Sequence, residues 1–78
     1  MKILFFAHLR DVAGCIELQR DFGSVDVAGL WRELITEFPA LAEFRANIRL
    51  ARNGEYVDAD ALFSEADEVA LIPPVSGG

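Results

Sequence analysis

The spacing of hydrophobic and polar positions changes several times along this chain, and each change predicts an element. Lys2-Ile3-Leu4-Phe5-Phe6-Ala7 is rich in branched and aromatic residues and predicts a strand. Cys15-Ile16-Glu17-Leu18-Gln19 alternates apolar and polar residues, the period of a half-buried strand. Residues 9–14 read as the connection, with Gly14 free to take unusual backbone angles. Two strands joined by a short Gly-containing loop predict an antiparallel hairpin.

A helix signal follows. Asp26 is placed to cap the first turn through its carboxylate. Val25 and Leu30 flank that cap as a hydrophobic staple does. Val27, Leu30, Leu34 and Phe38 recur at spacings of three, four and four, an apolar stripe widened by Trp31 and Ile35. Gly29 is expected to weaken this helix by about 1 kcal/mol relative to Ala. Pro39 ends it, because the residue before a proline is pushed out of the helical region. Residues 40–47 predict a short second helix with Leu41 and Phe44 turned inward.

Ile48-Arg49-Leu50-Ala51-Arg52 and Glu55-Tyr56-Val57 flank Asn53-Gly54, a strong hairpin signal. The pattern leaves open which face each of these side chains takes. Residues 58–67 form an acidic connection with Leu62 and Phe63 embedded, predicting a turn of helix or a packed loop. Glu68-Val69-Ala70-Leu71-Ile72 is a last strand, stopped by Pro73-Pro74, which lack ladder donors.

The order ββαββ predicts an α+β domain: one mixed sheet with one main helix packed on one face. A long crossover lets the first and last strands lie parallel at its centre, the β-grasp, ubiquitin-like arrangement. Residues 1–78 form one domain, with a flexible Gly-Gly tail from about 75 to 78.

Side chains alternate across a strand, so the two faces can be sorted. Ile3, Phe5 and Ala7 share one face; Lys2, Leu4, Phe6 and His8 share the other, which the charges mark as outer. In the last strand Glu68 puts Ala70 and Ile72 on the outer face, opposite Val69 and Leu71. Leu4, Phe6, Ala70 and Ile72 then form an exposed apolar patch, the usual mark of a binding surface. The competing readings are a loop folded over the patch, or central strands that are apolar on both faces.

Charge narrows the partners. Seven Lys and Arg against thirteen Asp and Glu give a net charge of −6 over 78 residues. That argues against nucleic acid and anionic membrane surfaces, and for partners with basic pockets. No apolar run is long enough to span a bilayer. The opening strand has only Lys2 before it and no small-residue cleavage site after it, which reads against a signal peptide.

Cys15 is the only cysteine, so no intramolecular disulfide and no all-thiolate metal site can form. It reads as a small apolar strand residue, and the lack of staples fits the cytoplasm. His8 has no acidic or hydroxyl neighbour in sequence for a triad, and one His makes no metal site. Glu55, Asp58, Asp60, Glu65, Asp67 and Glu68 lack EF-hand spacing and read as solvated surface, some of it steering basic partners. No phosphate-cradling Gly loop is present, so no cofactor is expected on the chain, and any ATP is expected on a partner.

The sequence ends Pro73-Pro74-Val75-Ser76-Gly77-Gly78. Without Cβ atoms a Gly-Gly tail is thin enough to thread a narrow channel. The Pro pair holds its base extended. A terminal carboxylate becomes reactive only once activated, for example as an acyl-adenylate that a nucleophile then attacks. The plain alternative is a frayed terminus.

Together these residues resemble a known family. Leu4-Phe5-Phe6-Ala7 with Leu9-Arg10 and Gly14, Asn53-Gly54-Glu55-Tyr56-Val57, and the block from Asp67 through Pro-Pro-Val-Ser-Gly-Gly resemble the molybdopterin synthase small subunit, the MoaD family of sulfur carriers. The resemblance spans essentially the whole chain and implies a carrier subunit with no active site of its own. It implies that an E1-like adenylyltransferase activates Gly78 with ATP and that Gly78 then bears a thiocarboxylate. Gly77, Ser76 and Val75 would insert into the synthase large subunit, where sulfur passes to cyclic pyranopterin monophosphate during molybdenum cofactor biosynthesis. Phe6 and Ile72 match positions that meet partner subunits. With Leu4, Pro73 and Pro74 they make up the expected partner surface of a heterotetramer. Ala66 stands where the family usually has Gly, which costs about 1 kcal/mol if that turn needs positive φ. Trp31 is unusual for the helix and reads as core.

Three other functions fit the same pattern. The chain could serve another sulfur pathway, such as thiamine thiazole synthesis. It could be a ubiquitin-like protein modifier, or a β-grasp binding module with an inert tail.

Overall fold

A computed structural model describes residues 1–74. Strands β1 (Lys2–Phe5), β2 (Glu17–Gln19), β4 (Arg49–Arg52), β5 (Glu55–Tyr56) and β7 (Glu68–Ile72) form one sheet, in the order β2-β1-β7-β4-β5. β1 and β7 run parallel at its centre, with Ile3 opposite Val69 and Phe5 opposite Leu71; the other pairings are antiparallel. A second ribbon pairs β3 (Val25–Asp26) with β6 (Leu62–Phe63). The long crossover makes the parallel central pair possible and carries helix α2 (Val27–Glu37). This is the β-grasp fold, as the pattern predicts.

The inner face and α2 build the core. Ile3, Phe5, Leu50, Val69 and Leu71 of the sheet, and Leu30, Trp31 and Leu34 of the helix, are all buried. Phe38 closes one end with its ring edge-on to Phe5, centroids 5.8 Å apart. Asp26 caps α2: its Oδ1 accepts from the Gly29 N–H at 2.7 Å. The helix stops at Phe38, whose φ of −128° and ψ of 79° are the extended turn that Pro39 demands.

Gly29 differs from its expected role. A Cβ there would lie 3.1 Å from Asp26 Oδ1 and 3.3 Å from Val25 Cβ. The glycine makes room for the cap, so its low propensity is offset by the cap it permits.

Four expectations are corrected. Residues 9–14 are not a plain hairpin loop. They form a short helix, α1 (Leu9–Ala13), which Gly14 ends at φ 78° while its N–H donates to the Arg10 carbonyl. Leu9, Val12 and Ala13 sit at the helical spacing that packs against the core, but five residues are too few to display a period.

Ala7 and His8 do not continue the alternation of β1. The strand ends at Phe5, Ala7 turns the chain at φ 54°, and His8 stands exposed at the start of α1 with its ring against Phe44, centroids 5.0 Å apart. Ala7 is exposed rather than inward, and His8 leaves the outer face of the sheet.

Residues 40–47 fold as two successive 3-10 turns, Pro39–Glu43 and Arg45–Asn47, with Leu41 buried and Phe44 half-buried. Leu62 and Phe63 belong to β6 rather than to a helical turn. Phe63 is buried and Leu62 is 69% exposed. A two-residue strand has no alternation to read.

Ala66 causes no strain. Among described residues other than glycine, only Ala7 and Asn53 have positive φ. Asn53 (51°) and Gly54 (88°) are the left-handed pair of a two-residue hairpin turn.

Candidate functional site

The outer face of the central strands carries the candidate site. Leu4 faces Ala70 across the parallel pair, and Ala70 faces Ala51 across the antiparallel pair. Ala51 in turn faces Tyr56 of β5. Leu4, Phe6, Ala51, Tyr56, Ala70 and Ile72 line a shallow hollow of about 260 Å³, with Gly54 and Glu68 at its margin. Phe6 is 37% exposed and Tyr56 is 56% exposed, and no described loop covers them. The open-patch reading is therefore the one the structure supports.

The hairpin whose facing was open extends this surface. Leu50 turns to the core, while Tyr56 adds an aromatic wall that the sequence pattern leaves unassigned. The guanidinium carbon of Arg49 lies 4.0 Å from the Tyr56 ring centroid, which steadies the ring by a cation–π contact. The signal for Tyr56 is the register across Asn53-Gly54, which alternation from the core residue Leu50 supplies.

The strand that carries Ile72 leads straight into the tail. Pro73 is buried and Pro74 is exposed. Pro73, expected as a partner contact, instead packs within its own chain, so Pro74 is the proline left to add surface. The tail residues Val75, Ser76, Gly77 and Gly78 lie outside the described residues. Leu4, Phe6 and Ile72 are brought together as expected.

Charge surrounds the patch unevenly. Lys2 bridges Glu17 at 3.2 Å and Glu68 at 3.8 Å on the outer face. Away from it, Arg20 pairs through two nitrogens with Glu37 and joins the end of β2 to the end of α2. Hydrogen bonding from Arg20 lowers the Glu37 pKa, and the same bond raises that of Arg20. Asp67 is held below the usual carboxylate range, first by the Ser64 N–H at 2.8 Å and then by the Asn53 amide at 3.0 Å. These groups brace the scaffold rather than react. Among the described residues no cluster of His, Cys, Asp or Glu is arranged to hold a metal ion. Among the described residues no helix is long and apolar enough to cross a membrane. Cys15 is half-buried against the core. A larger hollow of about 600 Å³ opens where α2 meets β3 and β6, and it holds none of the patch residues.

This geometry offers an open apolar face beside the strand that leads toward residues 75–78. The ThiS family matches residues 3–78. This chain belongs to the ThiS family. Within that family it is 40% identical to the "Molybdopterin synthase sulfur carrier subunit" of Arabidopsis thaliana, over 100% of this chain and 82% of the relative. Among solved structures, SAMP1 from Haloferax volcanii is 35% identical, with a TM-score of 0.76 over 100% of this chain and 98% of that one. A chain of the complex of subunits 1 and 2 of molybdopterin-converting factor from Helicobacter pylori shares the ThiS-type fold. Its TM-score is 0.64 at 23% identity, over 99% of this chain and 96% of that one.

Proposed function

We propose that this chain is the sulfur-carrier subunit of a molybdopterin synthase. The observation that carries the reading is the 40% identity, along the whole chain, to a curated relative with that name. The open apolar patch beside the tail supports it.

The chemistry needs two steps. An E1-like partner binds ATP and joins AMP to the Gly78 carboxylate, releasing pyrophosphate. A sulfur nucleophile then attacks the acyl carbon and AMP leaves. With sulfide as that nucleophile, the C–S bond forms as the C–O bond to AMP breaks, a proton is lost, and Gly78 carries a thiocarboxylate. Val75, Ser76 and Gly77 thread into the large subunit, where the sulfur passes to cyclic pyranopterin monophosphate. Leu4, Phe6 and Ile72, with Pro74 beside them, dock the scaffold, and Tyr56 widens that surface. The chain itself binds no cofactor and contributes an acyl group rather than a catalyst. We assign it to the cytoplasm, in a heterotetramer of two small and two large subunits.

Intact mass spectrometry after incubation with an E1-like enzyme, ATP and a sulfur donor tests this. A sulfur-for-oxygen mass shift confined to Gly78 is expected, and deletion of Gly78 should abolish it. No shift, under conditions that charge the Arabidopsis relative, would overturn the reading.

The Haloferax likeness, whose solved form is also described as a small archaeal modifier protein, favours a second reading. There the activated Gly78 acylates lysines of other proteins. Stable isopeptide conjugates without a large-subunit complex would select it.

A further inference from the structure

Arg10 stands at the edge of the patch, against the Phe6 ring and without a carboxylate partner among the described residues. Its Nε donates to the Phe5 carbonyl at 3.1 Å, and its guanidinium carbon lies 5.9 Å from the Phe6 ring centroid. Among the described residues no carboxylate pairs with it, and neither Nη atom has a hydrogen-bond partner, whereas Lys2 and Arg20 are both paired with glutamates. Phe6 is tied at both backbone ends: its N–H donates to the Leu71 carbonyl at 3.3 Å and its carbonyl accepts from the Leu9 N–H at 3.1 Å. The backbone that carries the ring and the Nε end of the guanidinium are therefore held in place before any partner arrives, which lowers the ordering cost of docking.

We infer that Arg10 is a specificity-determining residue of the docking face, and that the partner which buries Phe6 in an apolar pocket presents a carboxylate to the two Nη groups of Arg10. The inference rests on the proposed function. Burying Phe6 draws Arg10 out of water, and a desolvated guanidinium without a partner is costly. The bond to Phe5 limits its retreat. A carboxylate can take both Nη groups in a forked pair. The chain carries a net charge of −6, so an acidic group on the partner is disfavoured by the chain as a whole and welcomed beside Phe6 at Arg10, while Arg49 holds the opposite side of the patch against Tyr56. That fixes the register of docking as well as its strength.

Binding kinetics with a purified molybdopterin synthase large subunit test the inference, using the full chain and Arg10→Gln, Arg10→Glu and Arg10→Lys. Arg10→Gln should weaken binding by about 10-fold and Arg10→Glu by about 100-fold. Arg10→Lys should restore the salt dependence of the on-rate but not the full affinity, because a point charge cannot fork. The advantage of the wild type over Arg10→Gln should shrink as salt rises, which a purely structural role would not produce. Thermal unfolding checks that each variant folds. If Arg10→Glu does not fold, Arg10→Gln carries the test. Variants that bind like the wild type with the same salt slope would overturn the inference and leave the functional reading standing. A wild-type chain that fails to bind the large subunit would overturn that reading, and the inference with it.

Discussion

Asn53 and Asp67 are joined side chain to side chain at 3.0 Å, fastening the β4–β5 hairpin turn to the turn that launches β7. Asn53 Oδ1 also accepts from the Glu68 N–H at 2.9 Å, and the second Asp67 oxygen accepts from the Ser64 N–H at 2.8 Å. Two turns about fourteen residues apart in sequence are thus locked, and with them the start of the strand that carries Ala70 and Ile72.

The Asp67 carboxylate gives that lock a pH dependence. Its folded pKa is lowered by the Ser64 and Asn53 bonds. Its stabilisation is therefore present above the unfolded value of about 3.9 and is lost as pH falls through the folded value. Asp67→Asn should lower stability at pH 7 by roughly 0.5–1 kcal/mol, small because the site is solvent-screened. Thermal melts of both proteins from pH 7 downward should converge in acid. A gap that stays constant with pH would show that the carboxylate charge is not what holds the turn.

Gly29→Ala should bring none of the roughly 1 kcal/mol expected from helix propensity alone. The new methyl meets the capping oxygen and Val25 at 3.1 and 3.3 Å. Denaturant unfolding should find the variant no more stable than the wild type. A full propensity gain would mean that the cap yields freely.

Two alanines should respond differently to replacement by glycine. Ala7 holds φ 54°, a region costing an L-residue about 1–2 kcal/mol, so Ala7→Gly should leave stability unchanged or raise it by up to about 1 kcal/mol. Ala66 has no such φ, so Ala66→Gly should cost about 0.4–1 kcal/mol through the freer unfolded chain. Equilibrium unfolding of the two variants side by side reads the difference.

Phe6→Asp should weaken assembly with the large subunit while leaving the thermal midpoint within a few degrees. Phe6 lies on the outer face, 37% exposed, and no core residue depends on its ring. Gel filtration and calorimetry check both halves. A large loss of stability would mean that Phe6 serves the core.

The sequence by itself determined the central sheet, the main helix and the patch. Ile3, Phe5, Val69 and Leu71 alternate with Leu4, Ala70 and Ile72, and a strand period of two leaves only one assignment of faces once Lys2 and Glu68 mark the wet side. Asp26, Pro39 and Asn53-Gly54 act on their own neighbours, so the cap, the stop and the turn were legible from local chemistry. Tertiary structure decided the rest, because those elements are too short to carry a period or depend on distant neighbours. β6 exists only because β3 lies beside it, and α1 because Leu9 finds the core. Pro73 turns inward although its sequence neighbours predict a projecting base for the tail. Tyr56 enters the patch through strand register, and Arg10 meets Phe6 only because Ala7 bends the chain back, a contact that residue spacing does not encode.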